Sequence, residues 1–493
     1  MPTATVLATQ QRDVATLALG VLMPSFRGTT LPADYAALLA EGLGGICLFG
    51  TNTAAGPASV RALTDAIHAV RPGAVVAVDE EGGDVTRLHA AQGSPVLGPA
   101  ALGAVDDLGL TRATGRAVGL DLAAAGIDLD LAPVADVNSN PDNPVIGTRS
   151  FSADAAPAAA HVAAWVEGLR SAGVAACAKH FPGHGDTGQD SHLELPTLDV
   201  PLAVMAEREL VPFAAAVEAG VAAVMTGHIV VPALDPDLPG TLSAPVLGLL
   251  RERLGFRGVI VSDALDMAGA SGGRGIPEAA VLSLVAGADL LCVGPAKPAA
   301  LVREIQAAIV AAVADGRLAR ERLEEAAGRV ETCQGTWRDV RGDSPRHVTI
   351  SPVSRGNAAL DPAQVAGARR ALRIEGTLPD LQGAMVVTVP TTANVAVGEV
   401  PWGLEPDAIA RVGEEPPPAV TAAQAEGRPL IVQVRDAHRR PEVGALLAAL
   451  APAVVVEWGW PGAYDGGRIC PHGWSRPGAV AVTEALRAAG WGR

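Results

Sequence analysis

The stretch Val174-Ala-Ala-Cys-Ala-Lys-His-Phe-Pro-Gly-His-Gly-Asp-Thr-Gly-Gln-Asp-Ser-His192 begins as a buried strand and ends as a loop rich in reactive side chains. Its first four residues are apolar, which is typical of a strand covered on both faces. Glycine and proline then let the backbone turn tightly and approach a ligand. The histidines and aspartates are groups that move protons or bind polar substrates. This composition predicts a reactive site, with a polar hairpin as the alternative.

The alternation of a short apolar run and a longer helical pattern repeats through the first two thirds of the chain. The strand candidates are 18–23, 45–49, 74–79, 127–134, 174–179, 222–227, 258–262 and 290–294. The helical candidates are 36–43, 60–70, 110–125, 156–172, 205–219, 244–254, 277–286 and 299–314. About eight strand–helix repeats with continuously apolar strands predict an α/β fold of the (β/α)8 TIM-barrel type. A doubly wound open sheet is the competing topology.

The remaining third of the chain has its own pattern. A charged helix at 318–330 is followed by a segment rich in turn-forming residues, and strand candidates return at 383–389, 430–434 and 453–458. We predict a catalytic barrel over 1–340, a linker over 341–352 and a small C-terminal α/β domain over 353–493. Helical patterns at 439–450 and 480–489 belong to this second domain.

Charge and cysteine usage restrict the partners and the compartment. The chain carries 37 Lys and Arg against 53 Asp and Glu, for a net charge of −16. We therefore expect neither nucleic acid nor an anionic membrane surface as the main partner, because phosphate contacts favour a basic face. The five cysteines are scattered without a paired spacing, and three lie in apolar runs. With no leader pattern and no bilayer-spanning apolar run, we expect a cytoplasmic protein.

A barrel places its catalytic residues at the carboxyl ends of the strands and in the loops that follow them. Polar side chains occur at these positions after five consecutive strand candidates. They are Asp79 to Asp84 after the third, Asp136 and Arg149 after the fourth, the opening loop after the fifth, His228 after the sixth, and Asp263 and Asp266 after the seventh. We expect them to surround one active-site cavity.

Each of these residues also has an interpretation without a catalytic role. Asp136 is better explained as a structural hydrogen-bond acceptor, and His228 equally well as one more hydrogen bonder at a strand end. Glu80, Glu81 and Asp84 could be solvated loop acids, and Asp266 is expected to cap the following helix. Asp263 is different, because it follows Val259-Ile-Val261 and a single Ser, where burying a carboxylate is costly without a task.

Four motifs together resemble the family 3 glycoside hydrolases. They are Lys179-His-Phe-Pro-Gly-His-Gly-Asp-Thr187 with Asp190-Ser-His192, Asp79-Glu-Glu-Gly-Gly83, Asn143-Pro-Val-Ile-Gly-Thr-Arg-Ser-Phe151, and Ser262-Asp-Ala-Leu-Asp-Met267. Within that family the chain is most similar to bacterial β-N-acetylglucosaminidases that act on peptidoglycan fragments, in their two-domain form. The resemblance covers residues from about 15 to 330.

The resemblance implies a role for each matching position. Asp263 would be the nucleophile, and His192 the general acid/base, paired with Asp190 as a dyad. Asp79, Arg87, Arg149, Lys179 and His180 would hold a terminal N-acetylglucosamine. The substrate would be a peptidoglycan- or chitin-derived saccharide, and neither a cofactor nor a metal is implied. One position departs from the family pattern, because Asp84 stands where Arg usually follows Glu-Gly-Gly.

These roles are consistent with the chemistry of a retaining glycosidase, which needs a carboxylate nucleophile and a group that first donates and then accepts a proton. A histidine with an unperturbed pKa of about 6.5 already titrates near working pH. Asp190, two residues away, is placed to orient it and stabilise its charged form. Because the pair lies on a Gly-rich loop, we expect the loop to close over bound sugar.

Three alternatives remain at this point. Inorganic phosphate could replace water as the acceptor, because a neutral histidine repels phosphate less than a carboxylate does. A metal-dependent hydrolase could use His180, His184, Asp186, Asp190 and His192, although Lys179 adds an unhelpful positive charge. A non-catalytic sugar-binding barrel is disfavoured, because the nucleophile, dyad and sugar-holding positions all occur together.

Overall fold

The computed structural model describes residues 13–189, 195–341, 359–391, 396–398, 401–464 and 466–493, with the side chains of 334–341 left out of the description. The strands of the first domain are β1 (Leu22–Met23), β2 (Gly45–Leu48), β3 (Val75–Val78), β4 (Leu129–Asp130), β5 (Ala175–Phe181), β6 (Ala223–Thr226), β7 (Val230–Val231), β8 (Asp235–Pro239), β9 (Val259–Ser262) and β10 (Leu290–Cys292).

Eight of these strands form a closed parallel barrel. Their order around it is β2-β3-β4-β5-β6-β9-β10-β1, and every pair is parallel. The two ends of the sheet meet where the Cys47 N–H donates to the Pro24 carbonyl at 3.0 Å and the Gly44 N–H to the Leu19 carbonyl at 2.9 Å. This sequential circular order confirms the predicted barrel and excludes the doubly wound sheet. β7 and β8 form a separate antiparallel pair.

The helices of this domain follow the predicted alternation, with several differences. They are α1 (Val14–Gly20), α2 (Ala33–Glu41), α3 (Gly50–Thr53), α4 (Pro57–Val70), α5 (Pro99–Val105), α6 (Leu108–Ala124), α7 (Ala155–Ser171), α8 (Leu202–Glu207), α9 (Leu210–Glu218), α10 (Ala244–Gly248), α11 (Ala268–Ser271), α12 (Ile276–Ala286), α13 (Ala299–Ala314) and α14 (Arg320–Arg341). Half of the strand predicted at 18–23 belongs to α1, the helix predicted at 205–219 is divided into two, and α14 is longer than the predicted 318–330. The helix predicted at 244–254 continues past α10 as a π-helical turn over Leu249–Arg253, and α3, α5 and α11 were not predicted.

The barrel interior is packed with apolar and sulfur-containing side chains. Strand residues are covered on both faces, because alternate side chains point into the barrel and out toward the helices. The inward set includes Met23, Cys47, Val75, Leu129, Cys177, Met225, Val261 and Cys292. Among the described residues no helix is both long enough and apolar enough to cross a bilayer.

The second domain is the smaller α/β unit that the sequence predicts. Its sheet has the order β11-β16-β15-β14-β12-β13, parallel except for β11. The strands are β11 (Arg373–Glu375), β12 (Met385–Thr388), β13 (Ala408–Ile409), β14 (Leu430–Val434), β15 (Val454–Glu457) and β16 (Arg468–Cys470), and the helices are α15 (Pro362–Ala371), α16 (Pro418–Ala425), α17 (Pro441–Leu450) and α18 (Arg476–Ala488). Most of the predicted linker, 342–352, lies outside the described residues.

Helix α15 joins the two domains by buried hydrogen bonds. Asp361 caps its start by accepting the Ala363 N–H at 2.8 Å. Further along, Gln364 accepts the Leu97 N–H at 2.9 Å and donates to the Thr114 hydroxyl at 2.8 Å. Since Gln364 is buried and both of its partners belong to the barrel domain, this contact fixes the second domain against the barrel.

Candidate active site

A cavity of about 880 Å³ opens at the carboxyl ends of the barrel strands. Its size lies within the range of small-molecule sites, roughly 300–1,000 Å³. Residues at or just after the ends of seven barrel strands, and residues from the second domain, line it, among them Phe49, Asp79, Glu81, Arg87, Leu131, Arg149, Lys179, His180, His184, Met225, Asp263, Asp266, Cys292 and Ala396. The six described residues that the sequence assigns to the site therefore share one cavity.

Lys179 lies near the end of β5, where it is buried and doubly paired. Its Nζ is 2.6 Å from Asp79 Oδ1 and 2.7 Å from Glu81 Oε1. Arg149 grips the same Glu81 with two parallel bonds, Nε–Oε2 at 2.9 Å and Nη2–Oε1 at 2.8 Å. We call Asp79, Glu81, Arg149 and Lys179 the charged cluster. Its charges balance pairwise, which is what makes their burial tolerable.

Glu81, Arg149 and Lys179 stay ionised across the physiological range. Burial opposes the charge on Glu81, but Arg149 and Lys179 outweigh it and hold the pKa of the Glu81 carboxyl well below its ordinary value. Burial likewise opposes the charge on Lys179, and Asp79 and Glu81 hold its pKa above the ordinary value. The cavity wall therefore presents fixed ionic donors and acceptors of the kind that orient a polar ligand.

Asp136 holds the next two histidines of the loop in place. One carboxylate oxygen lies 2.7 Å from His180 Nδ1, and the other accepts the backbone N–H groups of His180 at 3.1 Å and His184 at 2.7 Å. This confirms Asp136 as a structural acceptor. Burial lowers the pKa of His184 to about 4, so its ring is neutral at pH 7. The two bonds from His180 to Asp136 hold the His180 ring in one orientation on the cavity wall.

Asp263 follows β9 directly, on the cavity wall. Its Oδ1 accepts the Ala264 N–H at 2.7 Å, which fixes the carboxylate. His228 holds the same segment, because its Nε2–H donates to the Ala264 carbonyl at 3.0 Å while Nδ1 lies 2.8 Å from the Thr241 hydroxyl. His228 is therefore a strand-end hydrogen bonder that supports the segment carrying Asp263.

The expected helix cap at Asp266 is wrong. The next helix, α11, begins at Ala268 with Met267 as its N-cap residue. The Asp266 carboxylate instead pairs with Lys297 Nζ at 2.6 Å on the cavity wall. Gly294 makes room for it, because an added Cβ there would lie 2.1 Å from Asp266 Oδ1.

The interpretation of Glu80, Glu81 and Asp84 as solvated acids is also wrong, since all three are buried. Glu80 accepts the backbone N–H groups of Arg87 at 2.8 Å and Leu88 at 3.0 Å. Glu81 belongs to the charged cluster and was missed as a functional residue. The signal that could have found it is Lys179, because a lysine in an apolar strand requires a nearby carboxylate.

Arg87 lines the cavity at its border with the second domain. Its Nη2 donates to the carbonyl oxygen of Ala396 at 2.7 Å. Ala396, Val397 and Gly398 form part of the cavity lining, so both domains contribute to the site. Among the described contacts, Arg87 has this carbonyl as its partner while Lys179 and Arg149 have carboxylates.

The loop after β5 is anchored at its start. Asn143 donates to the His184 carbonyl at 2.7 Å and to the Thr187 carbonyl at 3.0 Å. Gly185 passes so close to its neighbour that an added Cβ would lie 1.8 Å from the Val137 carbonyl oxygen. The predicted dyad, Asp190 and His192, lies in 190–194, outside the described residues. Within the described ranges no group of three His, Cys, Asp or Glu is placed to hold a metal ion.

Comparison with known proteins agrees with this geometry. A β-hexosaminidase of Alkalilimnicola ehrlichii is 39% identical over 300 residues, covering 58% of this chain and 84% of that protein. One from Chromobacterium violaceum is 39% identical over 319 residues, covering 63% and 87%. The structure of a family 3 β-N-acetylglucosaminidase from Paenibacillus sp. str. FPU-7 superposes with a TM-score of 0.85 at 31% identity, covering 97% of both chains.

A comparison with models of protein families matches residues 23–333 to the glycosyl hydrolase family 3 N terminal domain. The matched residues contain every strand of the barrel except the first residue of β1, and all the described cavity residues of the first domain. The chain therefore belongs to glycosyl hydrolase family 3 and is a glycoside hydrolase.

Proposed function

We propose that this enzyme is a retaining β-N-acetylglucosaminidase that releases terminal N-acetylglucosamine from peptidoglycan- or chitin-derived fragments. The observation that supports it most is the cavity itself, which Asp263 and the charged cluster line together. β-Hexosaminidases 39% identical to the chain support the choice of sugar.

The charged cluster has polar atoms to spare for a sugar. A lysine ammonium has three N–H donors, and the described contacts of Lys179 use two of them, on Asp79 and Glu81. Among the described contacts, the third Lys179 donor and Asp79 Oδ2 have no protein partner, and both are placed to bind sugar hydroxyls. Together with His180 and the Arg87 guanidinium, these groups would fix the ring of the terminal N-acetylglucosamine.

Asp263 supplies the nucleophile. The Ala264 N–H holds one carboxylate oxygen, and the other attacks the anomeric carbon while the bond to the leaving oxygen breaks. His192 would protonate that oxygen, with Asp190 stabilising the ring. In the second half of the reaction, His192 would take a proton from a water molecule. That water attacks the anomeric carbon, breaks the glycosyl–aspartate ester and releases the sugar with its configuration retained.

Product analysis tests this proposal. The enzyme is incubated with an N-acetylglucosaminyl-muramyl disaccharide and with chitobiose, each in phosphate-free buffer and in phosphate buffer. We expect free N-acetylglucosamine under both conditions. If N-acetylglucosamine 1-phosphate forms in phosphate buffer, the acceptor is phosphate and not water. If neither disaccharide is cleaved, the proposed substrate class is contradicted.

We place this activity in the cytoplasm, in the recycling of cell-wall fragments. All five cysteines are free thiols, and four of them are buried, as suits a reducing compartment. Cell fractionation tests the placement, and recovery of the enzyme outside the cytoplasmic fraction would contradict it.

A further inference from the structure

Asp84 joins the second domain to the turns that carry the charged cluster. One oxygen, Oδ1, lies 2.6 Å from Arg435 Nη2 and accepts the Trp474 backbone N–H at 3.2 Å. The other, Oδ2, accepts the Thr148 hydroxyl at 2.8 Å. Asp84 and Arg435 are each only 6% exposed. Two of the three donors thus come from the second domain, and the third comes from the barrel.

Arg435 is itself held in a fixed position. It follows β14 directly, and its guanidinium carbon lies 4.9 Å from the centre of the Trp402 ring. A cation over an aromatic face is favourable, and more so when water is excluded. Arg435 therefore reaches Asp84 from a strand end, which is a rigid support.

Asp84 is tied to Glu81 by a turn that has little freedom. Gly82 and Gly83 both have positive φ angles, +77° and +57°, and an added Cβ on Gly83 would lie 2.5 Å from Gly98 Cα. The Glu81 N–H closes the turn by donating to the Val85 carbonyl at 3.0 Å. A displacement of Asp84 is therefore passed on to Glu81.

The Asp84 carboxylate is also connected to Arg149, through its hydrogen bond with Thr148. These two residues are neighbours in the 3-10 turn Gly147–Arg149. Glu81 and Arg149 are the two partners of the bidentate pair in the charged cluster. Asp84 thus holds the supports of both partners, one through the glycine turn and the other through Thr148.

We propose that Arg435 is a positioning residue for substrate binding, which acts through Asp84 to set the spacing of Glu81 and Arg149. The second domain then shapes the sugar site without touching the sugar at this point. The inference rests on the proposed function, in which the charged cluster holds N-acetylglucosamine.

The test compares Arg435→Ala and Arg435→Lys with the unchanged enzyme. KM and kcat are measured on a nitrophenyl N-acetylglucosaminide, and the affinity for free N-acetylglucosamine is measured by calorimetry. We expect Arg435→Ala to raise KM and the sugar Kd by about tenfold or more. We expect kcat to change much less, because binding is lost equally in the ground state and the transition state. Arg435→Lys, which keeps the charge, should recover part of the loss.

Arg370→Ala is the matched control. Arg370 forms another ion pair between the domains, with Asp107 at 2.9 Å, but that pair is exposed and lies outside the cavity lining. We expect its KM to equal that of the unchanged enzyme. Thr148→Val removes one donor to Asp84 within the barrel, and we expect a smaller rise in KM, measurable even if Arg435→Ala does not fold.

Two results would overturn the inference. One is an unchanged KM and sugar affinity in Arg435→Ala, or in Thr148→Val should the former not fold. The other is an equal rise in KM in Arg370→Ala, which would show that any loosening of the domains has this effect. An unchanged enzyme that cleaves no N-acetylglucosaminide would instead contradict the proposed function, while the sugar affinities of the variants would still decide the role of Arg435.

Discussion

At the scale of single residues, Glu81 is the carboxylate on which the charged cluster depends. It accepts both bonds of the Arg149 fork and one from Lys179, and it is almost completely buried. If one member of a buried ion pair is removed, the charge of its partner stays buried without compensation. The resulting loss of stability is larger than the net contribution of the intact pair. The stability of the barrel should therefore depend on the charge of Glu81.

We predict that Glu81→Gln lowers the free energy of unfolding at pH 7 by about 3 kcal/mol. The folded-state pKa of Glu81 lies below the ordinary value of 4.5. Its contribution is therefore present above that pH and is lost as the pH falls below it. Urea unfolding at pH 7 and at pH 3.5 measures the difference, which should shrink at the lower pH. A difference that stays constant would contradict the ionic role.

His192 is predicted to act through proton transfer, which gives a dependence on the leaving group. For His192→Ala we expect kcat/KM to fall about 10³-fold on a natural disaccharide, within the usual range for a general acid. The loss should be much smaller on a dinitrophenyl glycoside, because that leaving group needs little protonation. Steady-state kinetics on both substrates check this. Equal losses would count against His192 as the acid.

The individual residues of the site could be predicted from the sequence where a strand end revealed them. Asp79, Arg149, Lys179, His180 and Asp263 all line the cavity as expected. Glu81 was missed because acids beside two glycines are normally solvated, and its burial depends on basic residues that follow other strands. The partner of a charge is a tertiary property, and local spacing does not contain it.

At the scale of elements, β15 ends in a carboxylate that is costly to bury. Glu457 accepts the backbone N–H groups of Asp436 at 2.7 Å, Ala437 at 3.1 Å and Gly459 at 2.7 Å. Burial and the neighbouring Asp436 raise the pKa of Glu457 to about 7. The segment that Glu457 holds, Asp436 to Arg439, also contacts the barrel domain, because Arg439 donates to the Asn143 carbonyl at 2.7 Å.

We predict that the second domain loses stability as the pH rises from about 4.5 toward 7, because the folded Glu457 binds a proton that the unfolded chain releases. The loss would amount to about 3 kcal/mol at most. Glu457→Gln is neutral throughout and should remove this slope. Thermal unfolding between pH 5 and 8 measures this dependence of stability on pH. Glu426→Gln, at an exposed position, is the control and should leave the dependence unchanged. A slope that Glu457→Gln leaves intact would refute the assignment.

Element types were predicted better than element lengths. The run predicted as one strand over 127–134 holds only a two-residue strand, β4. The apolar pattern continues past it because Leu131, Ala132 and Val134 remain buried. The chain stays bonded to β5 beyond β4, because the Cys177 N–H donates to the Ala132 carbonyl at 2.9 Å and the Lys179 N–H to the Pro133 carbonyl at 3.1 Å. Pro133 has no N–H to return a bond, so the regular ladder is interrupted there although burial continues, and the apolar pattern overestimates the regular strand.

At the scale of the whole molecule, the second domain packs on the β3 loop through Trp474. Gly93 lies directly beneath the indole, and an added Cβ would lie 1.6 Å from Trp474 Cζ3. Gly93 also has a φ angle of +82°, so glycine is required there for two reasons.

We predict that Gly93→Ala lowers the free energy of unfolding by about 1–3 kcal/mol more than Gly316→Ala does. Gly316 has nearly the same φ, +80°, but nothing within 4 Å of the added Cβ. The control therefore measures the backbone strain alone, and the difference measures the clash with Trp474. Chemical denaturation of both variants provides the comparison. Equal losses would mean that the indole moves aside without cost.

The division into a barrel and a smaller α/β domain could be predicted from the sequence, but the interface between them could not. Asp84 stood out as a departure from the family pattern, with no partner to explain it. That partner, Arg435, is 351 positions away and follows a strand of the other sheet. Contacts of this kind arise from packing two separately folded units, and neither unit's periodicity indicates which faces will meet.

The most direct test of the central claim is to trap the covalent intermediate. A 5-fluoro-N-acetylglucosaminyl fluoride should glycosylate the enzyme and release it slowly, and digestion with mass spectrometry locates the added sugar. The account predicts the label on Asp263, in the peptide containing Ser262-Asp-Ala-Leu-Asp266, and no label on Asp263→Asn. A label on another residue, such as Asp79 or Asp266, or turnover with inversion and no adduct, would contradict it.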